Sequence, residues 1–381
     1  MTKIAMVGRG TVGCLSTLHY LYYTDAEIDL IYDPNIAPTP VGEGTDASIP
    51  THLAQTCDFS TSTLLDIGGT LKSGIWKENF PGKDFLHGFG GNLHGFHFDA
   101  TILQKMLYEK FQKEPRINLI ESNIKNTDDV DADFVMMSVG FPKELDDSYN
   151  MHDVIPVNSA YITQCYWEYP RFQHTLTIAR PYGWVFGIPL LKRCSIGYLF
   201  NKDINTLEEV QEDVKNIFEQ FKLTPSDNTN HINFKNYSKK APIGNRVTWN
   251  GNQAFFLEPL EATSLSTSQS ISRMSYSSWF EDRPIEQSNS DFNHFLEGIL
   301  GLISVHYLGK SKFDTAFWDH ANKNSEIWWE NLKYEKPHIY KEICTYTKEP
   351  YNNDRGWSTW FDSSWKINIE NLGLNERFNY A

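Results

Sequence analysis

The sequence predicts an α/β protein with a Rossmann-like, dinucleotide-binding part, an inserted antiparallel β-sheet and a helical C-terminal module. Three observations support this class. The chain opens as strand, glycine-rich turn, helix and strand, β-rich segments follow from about residue 151, and helical patterns fill the last third. We expect one continuous globular unit, in which residues 1–150 and 241–280 bind the dinucleotide, 151–240 form the inserted sheet and 281–381 form the helical module and tail.

The first 33 residues carry the pattern of a βαβ unit that binds a dinucleotide. An apolar run ends in Gly8-Arg9-Gly10-Thr11-Val12-Gly13, which fits G-x-G-x-x-G, and a second strand ends on Asp33, 20 positions after the last glycine. Such glycines permit a tight turn, close approach of the backbone to a pyrophosphate and close packing of helix on strand, while the acid accepts hydrogen bonds from a ribose. The alternative is a glycine-rich turn in an ordinary α/β domain.

Charge and composition argue against several classes of partner. The 381 residues carry a net charge of −14 and are 40% hydrophobic. An acidic chain is poorly suited to bind nucleic acid or anionic membranes, and the sequence contains no apolar run of about 18 residues that could span a bilayer. The N-terminus shows no secretory leader, and five dispersed cysteines without C-x-x-C indicate reduced thiols and no structural zinc. We therefore expect a cytoplasmic protein.

Two segments before residue 80 contain candidate site residues. A loop rich in proline and glycine contains Val41-Gly42-Glu43-Gly44, where glycines on both sides of the acid suggest close approach of a bound group; a flexible surface loop is the alternative. Thr70–Trp76 predicts one strand, whose alternation places Lys72 and Trp76 on the same face. From the residues alone, a solvated lysine on an edge strand is the default interpretation of Lys72.

His87, His94 and His97 lie close together in the sequence, so a metal site has to be considered. No two of them are four positions apart and glycines lie between them, so ordinary loop histidines and no metal are the preferred interpretation. Asp99 is expected to cap a helix whose buried stripe is Leu103, Met106, Leu107 and Phe111.

Later segments predict the rest of the fold. Phe134–Met137 has the apolar run of a buried parallel strand and leads to Gly140, where open α/β sheets hold ligands. Helical patterns cover Phe292–Leu308 and Ile327–Tyr346, and the tail after Lys348 shows no clear period. The inserted sheet is predicted from one helix, about Leu207–Phe221, and four strands: Ala160–Tyr166, Thr175–Ala179, Gly183–Pro189 and Cys194–Phe200.

Taken together, these segments resemble the flavin-dependent halogenases that act on tryptophan and related aromatics. The resemblance covers most of residues 1–345, and in its compactness the chain is similar to phage-encoded members of that family. Besides the opening turn, the resemblance rests on Val41-Gly42-Glu43, Leu71-Lys72-x-Gly74-Ile75, Phe96-His97-Phe98-Asp99, Ser138-x-Gly140-Phe141, Gly183-Trp184-x-Phe186-x-Ile188-Pro189, Phe256-Leu257-Glu258-Pro259-Leu260-Glu261-Ala262-Thr263, His306-Tyr307 and Phe317-Trp318.

The chain departs from the family pattern at several places. Phe186 stands where a second tryptophan is usual, Ala262-Thr263-Ser264 stands where Ser-Thr-Gly is usual, and Asp46–Ser48 interrupt the Gly-Glu-Ala-Thr-Ile-Pro loop. The sequence also ends before the substrate lid that is usual in the family. These differences bear on which substrate and which halide the protein uses, and not on its use of a flavin.

The resemblance implies a reaction in which FADH2, O2 and a halide (chloride, bromide or iodide) form hypohalous acid, which halogenates a small aromatic or heteroaromatic substrate. It also implies a Rossmann-like fold of the flavin monooxygenase type, FAD as the cofactor and a separate flavin reductase as a partner, since no NAD(P)H site is evident. Bromide or iodide is expected to be accepted, and free small substrates are expected because the lid is missing. The sequence leaves open whether the chain forms a homo-oligomer.

The resemblance further assigns roles to residues. Lys72 is expected to receive the oxidised halogen, either by hydrogen bonding or as a haloamine, and Glu261 to orient the same species. Thr263 and Ser264 are expected to bind the halide through backbone N–H groups at a helix start. The opening turn, Asp33, Gly42, Glu43, Gly140 and Leu265 are expected to bind the cofactor, and Trp76, Trp184, Phe186, Ile188 and Pro189 to line the tunnel and substrate chamber, with Trp76 keeping water from Lys72.

Two other interpretations stay open at this point. An FAD-dependent aromatic monooxygenase or hydroxylase shares the βαβ opening but needs neither Lys72 nor Glu261. A non-catalytic FAD-binding protein needs only the cofactor site. Halide-dependent product formation that is lost in Lys72→Ala separates the halogenase from both.

Overall fold

Short runs of branched and aromatic residues form the strands of the chain, and longer amphipathic runs form its helices. The structure, a computed structural model, describes residues 2–36, 42–89, 93–346 and 362–378. As far as residue 137 its elements are β1 (Lys3–Val7), α1 (Thr11–Tyr23), β2 (Glu27–Tyr32), β3 (Gly42–Gly44), α2 (Ser48–Cys57), α3 (Thr61–Asp66), β4 (Thr70–Lys72), β5 (Gly74–Glu78), β6 (Phe85–Gly88), β7 (Gly95–Asp99), α4 (Ala100–Phe111), β8 (Ile117–Glu121) and β9 (Phe134–Met137).

The second part of the chain adds more strands before it becomes helical. Its elements are β10 (Tyr149–Met151), β11 (Ser159–Tyr166), β12 (Thr175–Arg180), β13 (Gly183–Pro189), β14 (Arg193–Phe200), α5 (Leu207–Gln220), β15 (Thr224–Asn233), β16 (Tyr237–Lys239), β17 (Val247–Trp249), β18 (Phe255–Phe256), α6 (Ser264–Phe280), α7 (Ile285–Leu308), α8 (Ala316–Glu335), α9 (Pro337–Tyr346), α10 (Asp362–Asn371) and α11 (Asn375–Phe378).

The predicted βαβ opening is confirmed, and it forms the centre of a five-stranded parallel sheet in the order β17-β9-β1-β2-β8. Both faces of β1 are buried, since Ile4 and Met6 join the apolar cluster that includes α1, while Ala5 and Val7 join a second cluster behind the sheet. Because the strands are parallel, their carboxyl ends share one edge, and the turn after β1 lies there beside the residues that follow β2 and β9.

The inserted sheet is larger than predicted. Its seven strands run in the order β15-β11-β14-β13-β12-β5-β6, so β5 and β6 join it from the first part of the chain. The four predicted strands pair with one another in antiparallel fashion as expected, whereas β5, which was not predicted to belong to this sheet, pairs with β12 in parallel. The sheet separates an apolar cluster that includes α5 from the large core cluster that includes α7 and α8. The four predicted strands and α5 are confirmed within a residue or two at each end.

The predicted strand Thr70–Trp76 is broken at Ser73 into two strands of different sheets. β4 pairs with β7 in the three-stranded sheet β3-β7-β4, whereas β5 pairs with β6 and β12. At the break, a Cβ on Gly74 would overlap the backbone of His87 on β6, so glycine is required for the close approach. The break matters for the site, because the alternation counted across residues 70–76 does not continue through it.

The C-terminal helices also differ from the expectation. The predicted helix Ile327–Tyr346 is two helices, since α8 ends before Lys336 and Pro337 starts α9, as a residue without an N–H can. The tail, for which no period was expected, contains α10 and α11, whereas residues 347–361 and 379–381 lie outside the described part. Among the described helices, none is both long and apolar enough to cross a membrane. The domain boundaries given above stay a prediction.

Candidate active site

The turn between β1 and α1 forms a backbone cradle. Gly8 adopts φ +109°, and a Cβ there would overlap the carbonyl oxygen of Ser138, while a Cβ on Gly13 would overlap the carbonyl oxygen of Gly8. Gly10 is different, because it is exposed and, apart from its chain neighbours, no atom of the described residues lies within 4 Å of the place where its Cβ would be. Two glycines therefore serve packing within the protein, and Gly10 leaves an open surface at the start of α1, where the helix dipole favours a phosphate.

Arg9 and Asp33 flank this turn. The guanidinium carbon of Arg9 lies 4.0 Å from the centroid of the Tyr32 ring. Asp33 accepts hydrogen bonds from the backbone N–H of Asn35 (2.9 Å) and from Nδ2 of Asn123 (2.7 Å). These bonds, first that of the Asn35 backbone, lower the pKa of the Asp33 carboxyl. Asp33 is therefore an ionised acceptor at the edge of the sheet, where a ribose is bound in proteins of this kind.

Thr11 connects the turn to β3. Its Oγ1 donates a hydrogen bond to Oε2 of Glu43 (2.8 Å) and accepts one from Nε2 of Gln104 (2.9 Å). Burial raises the pKa of Glu43 to about 7. The segment around Glu43 is thus a short strand held against the dinucleotide turn, and Val41, which precedes it, lies outside the described residues.

The other expected cofactor residues lie in several elements. Gly140, after β9, adopts φ +85°, and among the described residues beyond its chain neighbours no atom lies within 4 Å of its Cβ position. A Cβ on Gly42 would lie 3.3 Å from Cγ2 of Ile188 on β13. Leu265 is buried in the cluster that includes β1 and α1, and Val12 packs against that cluster. The open backbone at Gly10, the ionised Asp33 and the glycine cradle fit a dinucleotide such as FAD. That these residues bind it stays a prediction.

Lys72 is buried and forms no ion pair with the residues that the structure describes. Its side chain has 0% exposure, and its Nζ has no hydrogen-bond partner among the residues that the structure describes. The Nζ lies 5.5 Å from the centroid of the Phe89 ring. It also lies close to Gly44, next to Glu43, since a Cβ built on that glycine would be 3.5 Å from the Nζ. Burial lowers the pKa of Lys72 to about 8. A solvated lysine on an edge strand is therefore excluded.

His97 lies beside Lys72 as a neutral neighbour. Thr70 Oγ1 donates to the carbonyl oxygen of Pro189 (2.8 Å), so it accepts from Nδ1 of His97 (3.0 Å), and Nε2 of His97 accepts from Oγ1 of Thr175 (2.9 Å). Burial and then the charge of Lys72 lower the pKa of His97 well below its usual range. The imidazole is therefore uncharged and offers no negative partner to the lysine.

Glu261 is the centre of a buried cluster of charged and titratable groups. Its Oε1 lies 2.5 Å from Nζ of Lys77 and 3.1 Å from Nε2 of His306, and its Oε2 lies 2.9 Å from Nδ1 of His87. Burial alone would raise the pKa of the Glu261 carboxyl, but Lys77 and then His87 hold it well below its usual range. Burial and Lys77 lower the pKa of His306 to about 4. Glu261 is therefore a fixed carboxylate.

A second buried carboxyl, Glu258, lies behind this cluster. Its Oε2 accepts hydrogen bonds from Nε1 of Trp184 (2.8 Å) and from the hydroxyl of Tyr307 (2.6 Å). Burial raises the pKa of Glu258 to about 7. Glu258 thus connects β13 to α7 immediately before the loop that carries Glu261.

The expected tunnel residues lie on two strands. On β13, Trp184 is buried in the large core, Phe186 packs against that core, and Ile188 and Pro189 lie near Gly42 and Thr70. Trp76 on β5 packs instead against the cluster that includes α5, on the opposite face of the sheet. The expectation that Trp76 shares a face with Lys72 is wrong, because the strand breaks between the two residues. The assignment of the other four to a tunnel stays a prediction.

The expected halide residues lie at the start of α6. Ala262 adopts φ +53°, Thr263 is the buried N-cap residue and Ser264 is the exposed first residue of the helix. The Thr263 side chain does not cap the backbone N–H groups of the first turn. Such a helix start is favourable for an anion.

Sequence reasoning missed four residues of the buried clusters: Lys77, His87, His306 and Tyr307. His87 and His97 were expected in loops, but they lie buried on β6 and β7, and only His94 lies outside a strand. His306 and Tyr307 belong to one of the segments on which the resemblance rests, so the resemblance could have identified them as site residues. In the described part of the chain, no group of three or more His, Cys, Asp or Glu residues could hold a metal ion.

Fold and site together define a dinucleotide-binding α/β protein with a buried lysine that has no hydrogen-bond partner in the described part of the chain. A family model described as tryptophan halogenase matches residues 3–126 and 94–368, which is most of the sequence. The chain therefore belongs to the tryptophan halogenase family, and the resemblance found in the sequence is confirmed. The likeness to phage-encoded members stays a prediction.

Individual relatives agree with this placement. The 7-chloro-L-tryptophan 6-halogenase KtzR of Kutzneria sp. (strain 744) is 25% identical over 174 residues, which cover 44% of this chain and 33% of the relative. A flavin-dependent halogenase from Xanthomonas campestris has a TM-score of 0.82 at 15% identity, over 98% of this chain and 89% of that one. The tryptophan 6-halogenase SttH of Streptomyces toxytricini has a TM-score of 0.79 at 17% identity, over 97% of this chain and 89% of that one. These solved structures confirm the fold class.

Proposed function

We propose that this protein is a flavin-dependent halogenase, which uses FADH2, O2 and a halide to halogenate a small aromatic or heteroaromatic substrate. Membership of the tryptophan halogenase family supports the reaction class. The observation that carries the proposal is Lys72, which is fully buried, has no hydrogen-bond partner among the described residues and lies beside the Gly42–Gly44 strand. A monooxygenase or a flavin-binding protein has no use for such an amine.

The cofactor is held by the carboxyl edge of the parallel sheet. The N–H groups at the start of α1 face its phosphates, Asp33 accepts from its ribose, and Glu43 lies beside both. When bound and reduced, the flavin supplies, with O2, the oxidising equivalents that turn halide into hypohalous acid. A separate flavin reductase provides the reduced form, and the reaction takes place in the cytoplasm.

Lys72 holds the hypohalous acid for transfer to the substrate. With a pKa of about 8, both forms of its amine are present near neutral pH. The ammonium donates a hydrogen bond to the oxygen of the acid, and the O–halogen bond breaks as the halogen bonds to a ring carbon, so that the oxygen leaves as water with the proton that the ring loses. Alternatively, the free amine takes the halogen as a haloamine with loss of water, and the N–halogen bond then breaks as the halogen bonds to the ring carbon, which restores the amine with the proton that the ring loses. Glu261, a fixed carboxylate in the same interior, stabilises the positive charge of the ring before that proton leaves.

The halide binds at the start of α6, at the backbone N–H groups of Thr263 and Ser264. Heavier halides are easier to oxidise, and Ala262 and Ser264 replace the residues usual in the family. We therefore expect product with bromide or iodide at least equal to that with chloride. A competition assay with equal halide concentrations, read by mass spectrometry, measures this, and strict chloride preference would reject it.

The test of the proposed function is an incubation with FAD, a flavin reductase, each halide in turn and a panel of electron-rich aromatics. We expect halogenated products that require halide and that Lys72→Ala abolishes while it still binds FAD. An oxygenated product without halide would instead show a monooxygenase. Binding of FAD without any product across the panel would show a flavin-binding protein.

A further inference from the structure

Glu258 is a buried carboxyl that the proposed mechanism does not use. Its side chain is removed from water, and its Oε1 has no hydrogen-bond partner among the described residues. Its Oε2 accepts from both Trp184 on β13 and Tyr307 on α7. A carboxyl is costly to bury, so its place between donors of two elements indicates that it holds those elements together.

We propose that Glu258 is a positioning residue, which ties the turn that carries Glu261 to β13 and α7 and so keeps the carboxylate of Glu261 in place. The proposal deepens the proposed function and rests on it for its catalytic meaning, since Glu261 is expected to act on the ring and the oxidised halogen. The anchoring itself is a property of the protein without cofactor, halide or substrate.

Glu258 and Glu261 are joined by a tight turn. The backbone N–H of Ala262 donates to the carbonyl oxygen of Pro259 (3.0 Å), and Ala262 adopts φ +53°. Such a turn is stiff, because a hydrogen bond closes it and its first residue is a proline with a fixed φ. A displacement of Glu258 is therefore passed on to Glu261, three residues further along the chain.

The last turn of α7 contacts both acidic residues. The hydroxyl of Tyr307 donates to Glu258 (2.6 Å), while Nε2 of the preceding residue, His306, lies 3.1 Å from Oε1 of Glu261. Nε1 of Trp184 donates to the same oxygen of Glu258 (2.8 Å) and fixes that end of the turn to the sheet. Without the Glu258 carboxyl, the turn loses its side-chain bonds to β13 and, at this end, to α7.

Two variants at this position separate hydrogen bonding from bulk. In Glu258→Gln the amide oxygen can accept from both donors, and the amide nitrogen takes the place of Oε1, which has no partner in the described part. In Glu258→Leu both donors lose their acceptor, while the side chain stays of similar size. We therefore expect Glu258→Gln to behave nearly as the native protein does and Glu258→Leu to release the turn.

The first measurement is hydrogen exchange, read by mass spectrometry, in protein without added cofactor, halide or substrate. In Glu258→Leu we expect residues 258–263 to exchange about tenfold faster or more, because the bond between Ala262 and Pro259 opens more often. Exchange in α1 corrects for a general loss of stability. Unchanged exchange of the turn in Glu258→Leu would overturn the proposal. If that variant does not fold, Tyr307→Phe, which removes one of the two donors, replaces it under the same criterion.

The second measurement is a double-variant cycle in turnover. Glu258→Leu should lower kcat about tenfold or more, while Glu258→Gln restores it and the KM for the aromatic substrate stays within about twofold. In a Glu261→Gln background, Glu258→Leu should lower kcat by less than about twofold, because no carboxylate is left to position. An equal loss of kcat in both backgrounds would overturn the proposal.

The matched control for the loss of a buried hydrogen bond is Ser325→Ala. Its hydroxyl donates to the carbonyl oxygen of Ser304 on α7 (2.7 Å), away from the turn, so kcat should not change. Failure of the native protein to halogenate would bear only on the proposed function, since the exchange measurement needs no turnover.

Discussion

At the scale of single residues, the chain keeps a lysine in a place that is unfavourable for a charge. Lys72 is removed from water, and the described residues offer its Nζ no acceptor. Ordinary stability would favour an apolar side chain of similar length there. Its presence indicates that the amine is retained for chemistry rather than for folding.

Lys72→Met should therefore make the protein more stable while it abolishes halogenation. The folded pKa of about 8 lies below the usual value of 10.5, so the folded state holds the proton less tightly than the unfolded state. Below pH 8 this difference in pKa lowers the unfolding free energy of the native protein by about 3 kcal/mol. The loss shrinks as the pH rises from 8 towards 10.5, so the stability gain in Lys72→Met shrinks with it. Urea unfolding of both proteins at pH 7 and pH 10 measures this.

The matched control is Lys113→Met on the surface, for which we expect a change of less than about 0.5 kcal/mol at either pH. A Lys72→Met protein that is less stable than the native one at pH 7 would show that the lysine contributes to folding. A stability gain of the same size at both pH values would show that its titration is not the cause.

At the scale of elements, local patterns determined what the sequence could predict. The βαβ opening was predicted within a few residues, because glycines, apolar runs and the acid lie within 33 consecutive positions. The site around Glu261 was predicted only in part. Alternation counted from Thr70 breaks at Ser73, and the break depends on contacts of Gly74 with His87 on another strand. Nothing in the segment itself indicates that Lys77 lies on the side of Glu261 and Trp76 on the side of the cluster that includes α5.

The opening turn allows a paired test of packing against cofactor binding. In Gly13→Ala the new Cβ overlaps the carbonyl oxygen of Gly8, so we expect a loss of about 2 kcal/mol or more in unfolding free energy. In Gly10→Ala the Cβ meets no atom of the described residues beyond its chain neighbours, so we expect stability within about 0.5 kcal/mol of native. Its affinity for FAD should nevertheless fall by about tenfold or more, because the methyl group occupies the surface that the pyrophosphate approaches.

Urea unfolding and titration of FAD by fluorescence quenching separate the two effects. If Gly10→Ala bound FAD as tightly as the native protein, the phosphates would not lie on this turn. That result would contradict the cofactor site while leaving the fold unaffected.

At the scale of the whole molecule, the site is assembled from distant parts of the chain. Glu261 follows β18, Lys77 lies on β5, His87 on β6 and His306 on α7. The tail contributes as well, since Oγ of Ser364 on α10 lies 2.9 Å from Nε2 of His87. Such long-range proximity has no signature in a single sequence, which is why the contacts of Lys77 and His87 with Glu261 were not predicted.

The tail helix α10 should therefore support both stability and activity, and two variants distinguish these effects. Trp365 is fully buried over Gly301, so Trp365→Ala should lower the unfolding free energy by about 3–5 kcal/mol. Ser364→Ala removes only the hydroxyl that contacts Nε2 of His87, so stability changes by about 1 kcal/mol while kcat falls several-fold. Thermal unfolding and steady-state kinetics measure both. An unchanged kcat in Ser364→Ala would limit α10 to a structural role.

The most direct test of the central claim is the mass spectrum of the product formed from an electron-rich indole with FAD, a flavin reductase and bromide. We expect a brominated product, recognised by the two-peak isotope pattern of bromine, from the native protein and none from a Lys72→Met variant that still binds FAD. An oxygenated product that forms without bromide, or equal bromination by Lys72→Met, would contradict it.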